Sequence, residues 1–236
     1  DNDDKQSKPQ NQEQKTKDRN GEFGVKFQAY LDQVKLLAPI ELRGLPNVDD
    51  SGNASRNTFV GSLTYSQIIN KNFQVMFQAD LISQQGYLSL PFHRVYFTDG
   101  SVHQEKLPDS RLKIPLAARA SYFLGDNVII RGYYRFYTDD WGIQSHTADI
   151  EIPVKITSFI SVSPFYRYYT QTAAKYFKGY EMHNLQSDFY TSNYDLSKFD
   201  SSFIGLGLRL TPVNGIFGIK HLNMLEIRYG HYARSN

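Results

Sequence analysis

Between residues 111 and 171 the chain alternates apolar and polar side chains through four consecutive stretches. Successive side chains of a strand point to opposite faces, so each stretch predicts a strand with one apolar and one polar face. The first sets Leu112, Ile114, Leu116, Ala118, Ala120 and Tyr122 against Arg111, Lys113, Arg119 and Ser121. The second sets Val128, Ile130, Tyr134 and Phe136 against Arg131, Arg135 and Asp139. In the third, Ala148, Ile150, Ile152, Val154 and Ile156 oppose Asp149, Glu151 and Lys155; in the fourth, Ile160, Val162, Pro164, Tyr166 and Tyr168 oppose Ser161, Ser163 and Arg167. A charge-free face on strand after strand predicts an all-β, antiparallel, up-and-down transmembrane barrel, with lipid outside and a polar lumen inside. A soluble β-sandwich is the minor alternative, since its sheets have no need of such a face.

The same period predicts five more strands, nine in all. Residues 23–32 place Phe23, Val25, Phe27, Ala29 and Leu31 outward and Lys26, Gln28 and Asp32 inward. Residues 58–69 and 73–82 follow, with Phe59, Leu63, Tyr65, Phe73, Val75, Phe77, Ala79 and Leu81 outward and Asp80 inward. Near the end, 202–211 and 222–233 set Ile204, Leu206, Leu208, Leu210, Leu225, Ile227 and Tyr229 against Arg209, Glu226 and Arg228. Short links at 70–72, 125–127 and 157–158 alternate with long ones at 38–57, 83–110, 139–146 and 172–201. Outer-membrane barrels keep short turns periplasmic and long loops external. Nine strands would end outside, so the parity predicts at least one further strand and a longer natural chain. Residues 1–21 hold no aliphatic or aromatic side chain and predict a mobile polar segment or periplasmic linker; 22–236 form the wall.

Composition sharpens this reading. Mean hydropathy is negative, and no apolar run approaches the roughly 20 residues of a membrane helix. A barrel tolerates both, because half of each strand is polar. The 17 Tyr and 16 Phe suit interfacial aromatic girdles. Without cysteine there is no disulfide, zinc-thiolate or thiol-nucleophile chemistry. A net charge of +2 gives no case for nucleic acid.

Five blocks in order carry a resemblance: GYLSLPFHRVYF from Gly86, YRFYTDDWGI from Tyr134, VSPFYRYYTQTA from Val162, YTSNYDLSKFDS from Tyr190 and FGIKHLNMLEIRYGHYARSN from Phe217. From about Phe23 onward the chain resembles the outer-membrane β-barrel family catalogued as domain of unknown function 3570. The resemblance implies a bacterial, Gram-negative outer membrane. Family members have further strands before Phe23 and one after the last block, and look to be encoded near a small lipoprotein, a thioredoxin-like protein and a flavin transferase. It implies no activity.

Lumen-facing charges are then Lys26, Arg111, Lys113, Arg119, Arg131, Arg135, Lys155, Arg167, Arg209 and Arg228, against Asp32, Asp80, Asp149, Glu151 and Glu226. That excess of cations would favour negative solutes. Alternatively the charges pair across strands and plug the lumen; a turn at Thr157 sets Asp149 opposite Arg167. The long loops are rich in aromatic residues. Tyr87, Leu90, Phe92, Tyr96, Phe97, Trp141, Tyr180 and Tyr190 either fold inward over the wall or form a docking surface for a lipoprotein or partner barrel. An enzyme is disfavoured. His93, His103, His146, His183, His221 and His231 lie among loop acids such as Asp139, Asp140 and Asp188, but no G-x-S-x-G motif or metal-spaced histidine pair accompanies them, and two acids do not make a calcium site. No catalytic residue, cofactor or metal is therefore expected. The sequence predicts an outer-membrane channel or solute-transport barrel, with a plugged structural subunit tied to envelope redox or flavin proteins as the alternative.

Overall fold

The computed structural model describes residues 20–219 and 221–235. Residues 1–19, almost all of the polar segment, lie outside the described residues. The fold is all-β. Its long strands are β1 (Gly21–Lys35), β2 (Asn53–Asn70), β3 (Phe73–Gly86), β6 (Ser110–Leu124), β7 (Val128–Asp139), β8 (Gln144–Glu151), β10 (Ile160–Gln171), β11 (Phe199–Leu210) and β12 (Leu225–Ser235). They form one antiparallel sheet in chain order. β4 (Arg94–Tyr96) and β5 (Val102–Gln104) make a small separate hairpin between β3 and β6, where the sequence pattern predicts a loop.

Register fixes the faces. Phe23 lies opposite Tyr65, Tyr65 opposite Phe77, and Phe77 opposite Ala118. The row continues through Tyr134, Ala148 and Tyr168. Register shifts once, between Ile68 and Asn70 beside the β2–β3 turn; elsewhere the ladders keep parity, so the apolar rows predicted to face outward share one face. Much of that face is open to solvent: Phe27 is 82% exposed, Leu31 72%, Ile204 57% and Tyr229 77%. Proteins that remain in water rarely expose an apolar surface this continuous.

The predicted strand at 148–156 is broken. Pro153 has no N–H to give the ladder, and the chain resumes as β9 (Val154–Lys155). Register survives the break: Glu151 and Val154 face Phe165 and Val162, three residues apart on both sides. The Ile152 N–H still bonds the Pro164 carbonyl at 3.0 Å, so Ile150 and Val154 keep the same face.

Tight turns close one end of the sheet. Asn70 accepts the Asn72 N–H at 2.9 Å, Gly125 takes φ 63° between β6 and β7, and the Thr157 hydroxyl accepts the N–H groups of Phe159 and Ile160. The β11–β12 connection, 211–224, lies at this end and is longer than a tight turn. At the other end the loops are long. Gly86, where β3 leaves the sheet, has φ 103°, and a Cβ there would lie 2.1 Å from the Ser55 carbonyl oxygen, so only glycine fits.

The sheet curls toward its polar face. Arg228 on β12 pairs with Glu151 on β8, although β10 and β11 lie between. In a flat sheet those strands would be about 14 Å apart, three spacings of roughly 4.8 Å. Glycines ease the bend: a Cβ on Gly205 would meet the Phe165 ring at 2.4 Å, and one on Gly230 the Phe203 ring at 2.5 Å. The two rings lie over this bare backbone with centroids 5.2 Å apart. Among the described residues the outer edges of β1 and β12 have no ladder partner.

The well-buried core is in the long loops. Its apolar members include Ala38, Leu42, Val95, Phe97, Leu107, Trp141, Ile143 and Ala174, joined by Glu105, His183 and Thr191.

Candidate functional site

Lys26, Asp32, Asp80, Arg111, Lys113, Arg119, Arg131, Arg135, Asp149, Glu151, Lys155, Arg167, Arg209, Glu226 and Arg228 all share the parity of the concave face. One row runs Arg119, Tyr133, Asp149, Arg167; another sets Lys155, Ser161, Arg209 and Glu226 side by side. The acids are shared out unevenly. Asp149 accepts Arg167 at 2.8 Å, Glu226 accepts Arg209 at 2.7 Å, and Glu151 takes Arg131 at 3.4 Å together with Arg228. Asp80 is held by the Gln78 amide at 2.9 Å. Among the described residues Lys26, Lys113, Arg119, Arg135 and Lys155 have no ion-pair partner. Of these five, Arg119 and Arg135 line a cavity of about 940 Å³ that reaches from Gln74 on β3 to Ser201 on β11. A smaller one, about 320 Å³, lies beside it against Phe165, Phe203 and Arg228.

The long loops form a cap, tied to the concave face by its own side chains. Arg56 donates to the carbonyls of Tyr87 at 2.8 Å and Ser89 at 3.1 Å. Gln171 donates to Asp195 and Ser197, and Arg234 to the Tyr194 carbonyl and, at 3.1 Å, to the Asp195 carboxylate. Arg111 lies 4.3 Å from the Trp141 ring centroid and pairs with Asp139, whose side chain is fully buried. The loops also bond one another. Lys106 and Tyr190 exchange backbone hydrogen bonds, Gln104 exchanges two with Asp49, Arg94 pairs with Glu41, and the Lys175 N–H reaches the Trp141 carbonyl. The predicted aromatic surface is accordingly split. Phe97 and Trp141 are buried, Tyr87, Leu90, Tyr96 and Tyr190 half-buried, and Phe92 and Tyr180 exposed.

Glu105 holds the cap's interior together, accepting the Thr191 hydroxyl and the Leu90 N–H, each at 2.5 Å. Burial raises its pKa, against the pull of those hydrogen bonds. Burial also lowers the pKa of His183, which donates from Nε2 to the Thr191 carbonyl while its Nδ1 has no partner among the described residues. Burial pushes the Tyr87 hydroxyl up to about 12, and the Arg94 hydrogen bond holds Glu41 down to about 2.

Of the other histidines, His146 bonds Tyr134 at 2.7 Å on the apolar face. His103 reaches Ser101 at 2.9 Å, but that hydroxyl donates its proton to Asp99 at 2.6 Å, leaving no free nucleophile for the imidazole to activate. Among the described residues no group of three or more histidines and acids is placed to hold a metal ion.

Sequence reasoning passed over Arg56, Glu105, Gln171 and Arg234. Arg56 shares parity with Thr58 and Ser62, and Arg234 with Glu226 and Arg228, so both were within reach of the alternation; Glu105 gives no periodic signal.

Sheet and site together define an all-β protein with one apolar and one cationic, concave face, capped at one end by its long loops. The chain belongs to the DUF3570 family of proteins of unknown function, whose sequence model matches residues 4–230. No curated protein matches it.

Proposed function

We propose that the sheet is the wall of an outer-membrane β-barrel that passes or takes up small anionic solutes. The observation that carries this is the two-faced register: rows of apolar side chains on one face of nine strands, the charged rows and a large cavity on the other. Lipid satisfies the first face and a water-filled lumen the second. The uncompensated cations would raise the local concentration of anions and lower that of cations. The cap lies at the long-loop end, which on this reading is external, and its aromatic core narrows the entrance.

The cap also supports a second reading, a plugged barrel that serves as a scaffold for an envelope lipoprotein or partner barrel, with exposed Phe92 and Tyr180 as its contact points. Conductance of the purified protein in a planar bilayer separates the two. Stepwise currents with an anion-favouring reversal potential are expected from the solute barrel; a folded, inserted and silent protein would mean the scaffold.

A further inference from the structure

Arg119 and Arg135 differ from the other arginines of the concave face. Arg131, Arg167, Arg209 and Arg228 each reach a carboxylate. Arg119 has only the Tyr133 ring, 5.6 Å from its guanidinium carbon, and Arg135 has no hydrogen-bond or ion-pair partner among the described residues. Both line the large cavity. They are also neighbours: Arg119 faces Tyr133 across the β6–β7 ladder, and Arg135 stands two residues beyond Tyr133, facing Ala117. Such diagonal positions lie roughly 7–8 Å apart, within joint reach of two long side chains. Small residues flank Arg135 on the adjoining strands, Ala117 on one side and Thr147 on the other, and Tyr133 stands beside both arginines. The space above the pair is open.

Two like charges held side by side repel, and the neighbouring acids are taken. An oxyanion between them would remove that repulsion and accept two guanidinium forks, which match phosphate geometry through paired N–H donors. Thr147, also on the cavity wall, adds a hydroxyl donor. A single carboxylate would neutralise only one of the two arginines.

We infer that Arg119 and Arg135 form a binding subsite for a doubly charged oxyanion, a phosphate or the phosphate group of a monoester. This deepens the anion-barrel reading by naming the solute class, and it rests on that reading only for its place in a lumen. The test therefore uses binding, which needs no pore. The full chain in detergent is titrated calorimetrically with inorganic phosphate and with glycerol phosphate, using succinate and chloride at matched ionic strength as comparators.

Saturable one-to-one binding of phosphate or glycerol phosphate is expected, weakened tenfold or more by Arg119→Gln or Arg135→Gln. Preference for inorganic phosphate would identify the free ion, and equal or tighter binding of glycerol phosphate the ester. Lys155→Gln should leave binding unchanged. Arg135→Lys, which keeps the charge and loses the fork, should bind more weakly than the parent and guards against a misfolded glutamine variant. Phosphate binding no better than chloride, tighter binding of succinate, or arginine variants equal to the parent would each overturn the assignment. Phosphate binding by a protein that does not conduct would leave the subsite standing and remove the channel.

Discussion

Ile150→Arg is expected to impair membrane assembly, while Ser161→Arg is expected to leave it largely intact. Ile150 sits between Gly132 on β7 and Tyr166 on β10, on the apolar face, and is 43% exposed there. A cation at the bilayer midplane of a barrel costs about 2–4 kcal/mol. At about 1.4 kcal/mol per factor of ten, that lowers the equilibrium constant for folding into the bilayer by a factor of roughly 30 or more. Ser161 has the opposite parity and lies between Lys155 and Arg209. A new arginine there meets like charges, at a cost below about 1 kcal/mol, and Arg209 is already compensated by Glu226. Protease resistance after folding into liposomes measures both variants. Equal damage at the two sites would mean that the faces are wrongly assigned.

Asp139→Ala is expected to destabilise the capped end by about 3–5 kcal/mol, the loss associated with removing one partner of a buried ion pair. Asp139 accepts Arg111 at 2.5 and 3.0 Å, the Tyr137 hydroxyl at 2.7 Å and the Ile143 N–H at 2.9 Å. Arg111 is only 13% exposed, so the variant leaves its guanidinium without an anion in a nearly dry site. The Asp139–Ile143 turn would loosen, and with it Trp141, whose indole N–H donates to the Ser110 carbonyl at 3.0 Å. The double variant Arg111→Met, Asp139→Leu should recover much of the loss, because replacing a whole buried pair by apolar side chains is often close to neutral. Denaturant unfolding followed by Trp141 fluorescence, the chain having a single tryptophan, reports the difference directly. A single-variant loss below about 1 kcal/mol would contradict a buried, structural pair.

These outcomes bear on the parts of the molecule that the sequence made readable and the parts it hid. Strands such as Leu112–Tyr122 announce themselves because apolar and polar side chains alternate along them, and the period of two survives even Pro153. The concave charges were legible for the same reason, residue by residue. Their pairing was only partly so. Asp149 with Arg167 follows from one turn, whereas Arg228 with Glu151 depends on how far the sheet curls, which no local pattern encodes. The cap was opaque. Its order comes from side chains such as Arg56 and Gln171 bonding loop carbonyls, and from a buried Glu105 that in sequence looks like a solvated charge. Arg119 and Arg135 stand out only once the acids around them are seen to be engaged elsewhere.

The central claim is that the two faces of the sheet meet different solvents, and the absence of cysteine from the chain makes it directly measurable. Single cysteines placed at successive positions from Ser161 to Tyr168 on β10, spin-labelled and reconstituted in liposomes, report collisions with oxygen dissolved in lipid and with a water-soluble nickel chelate. Even positions, 162 to 168, should favour oxygen and odd positions, 161 to 167, the chelate, in strict alternation. Uniform exposure to the chelate along the strand, or the reverse phase, would contradict a lipid-facing wall.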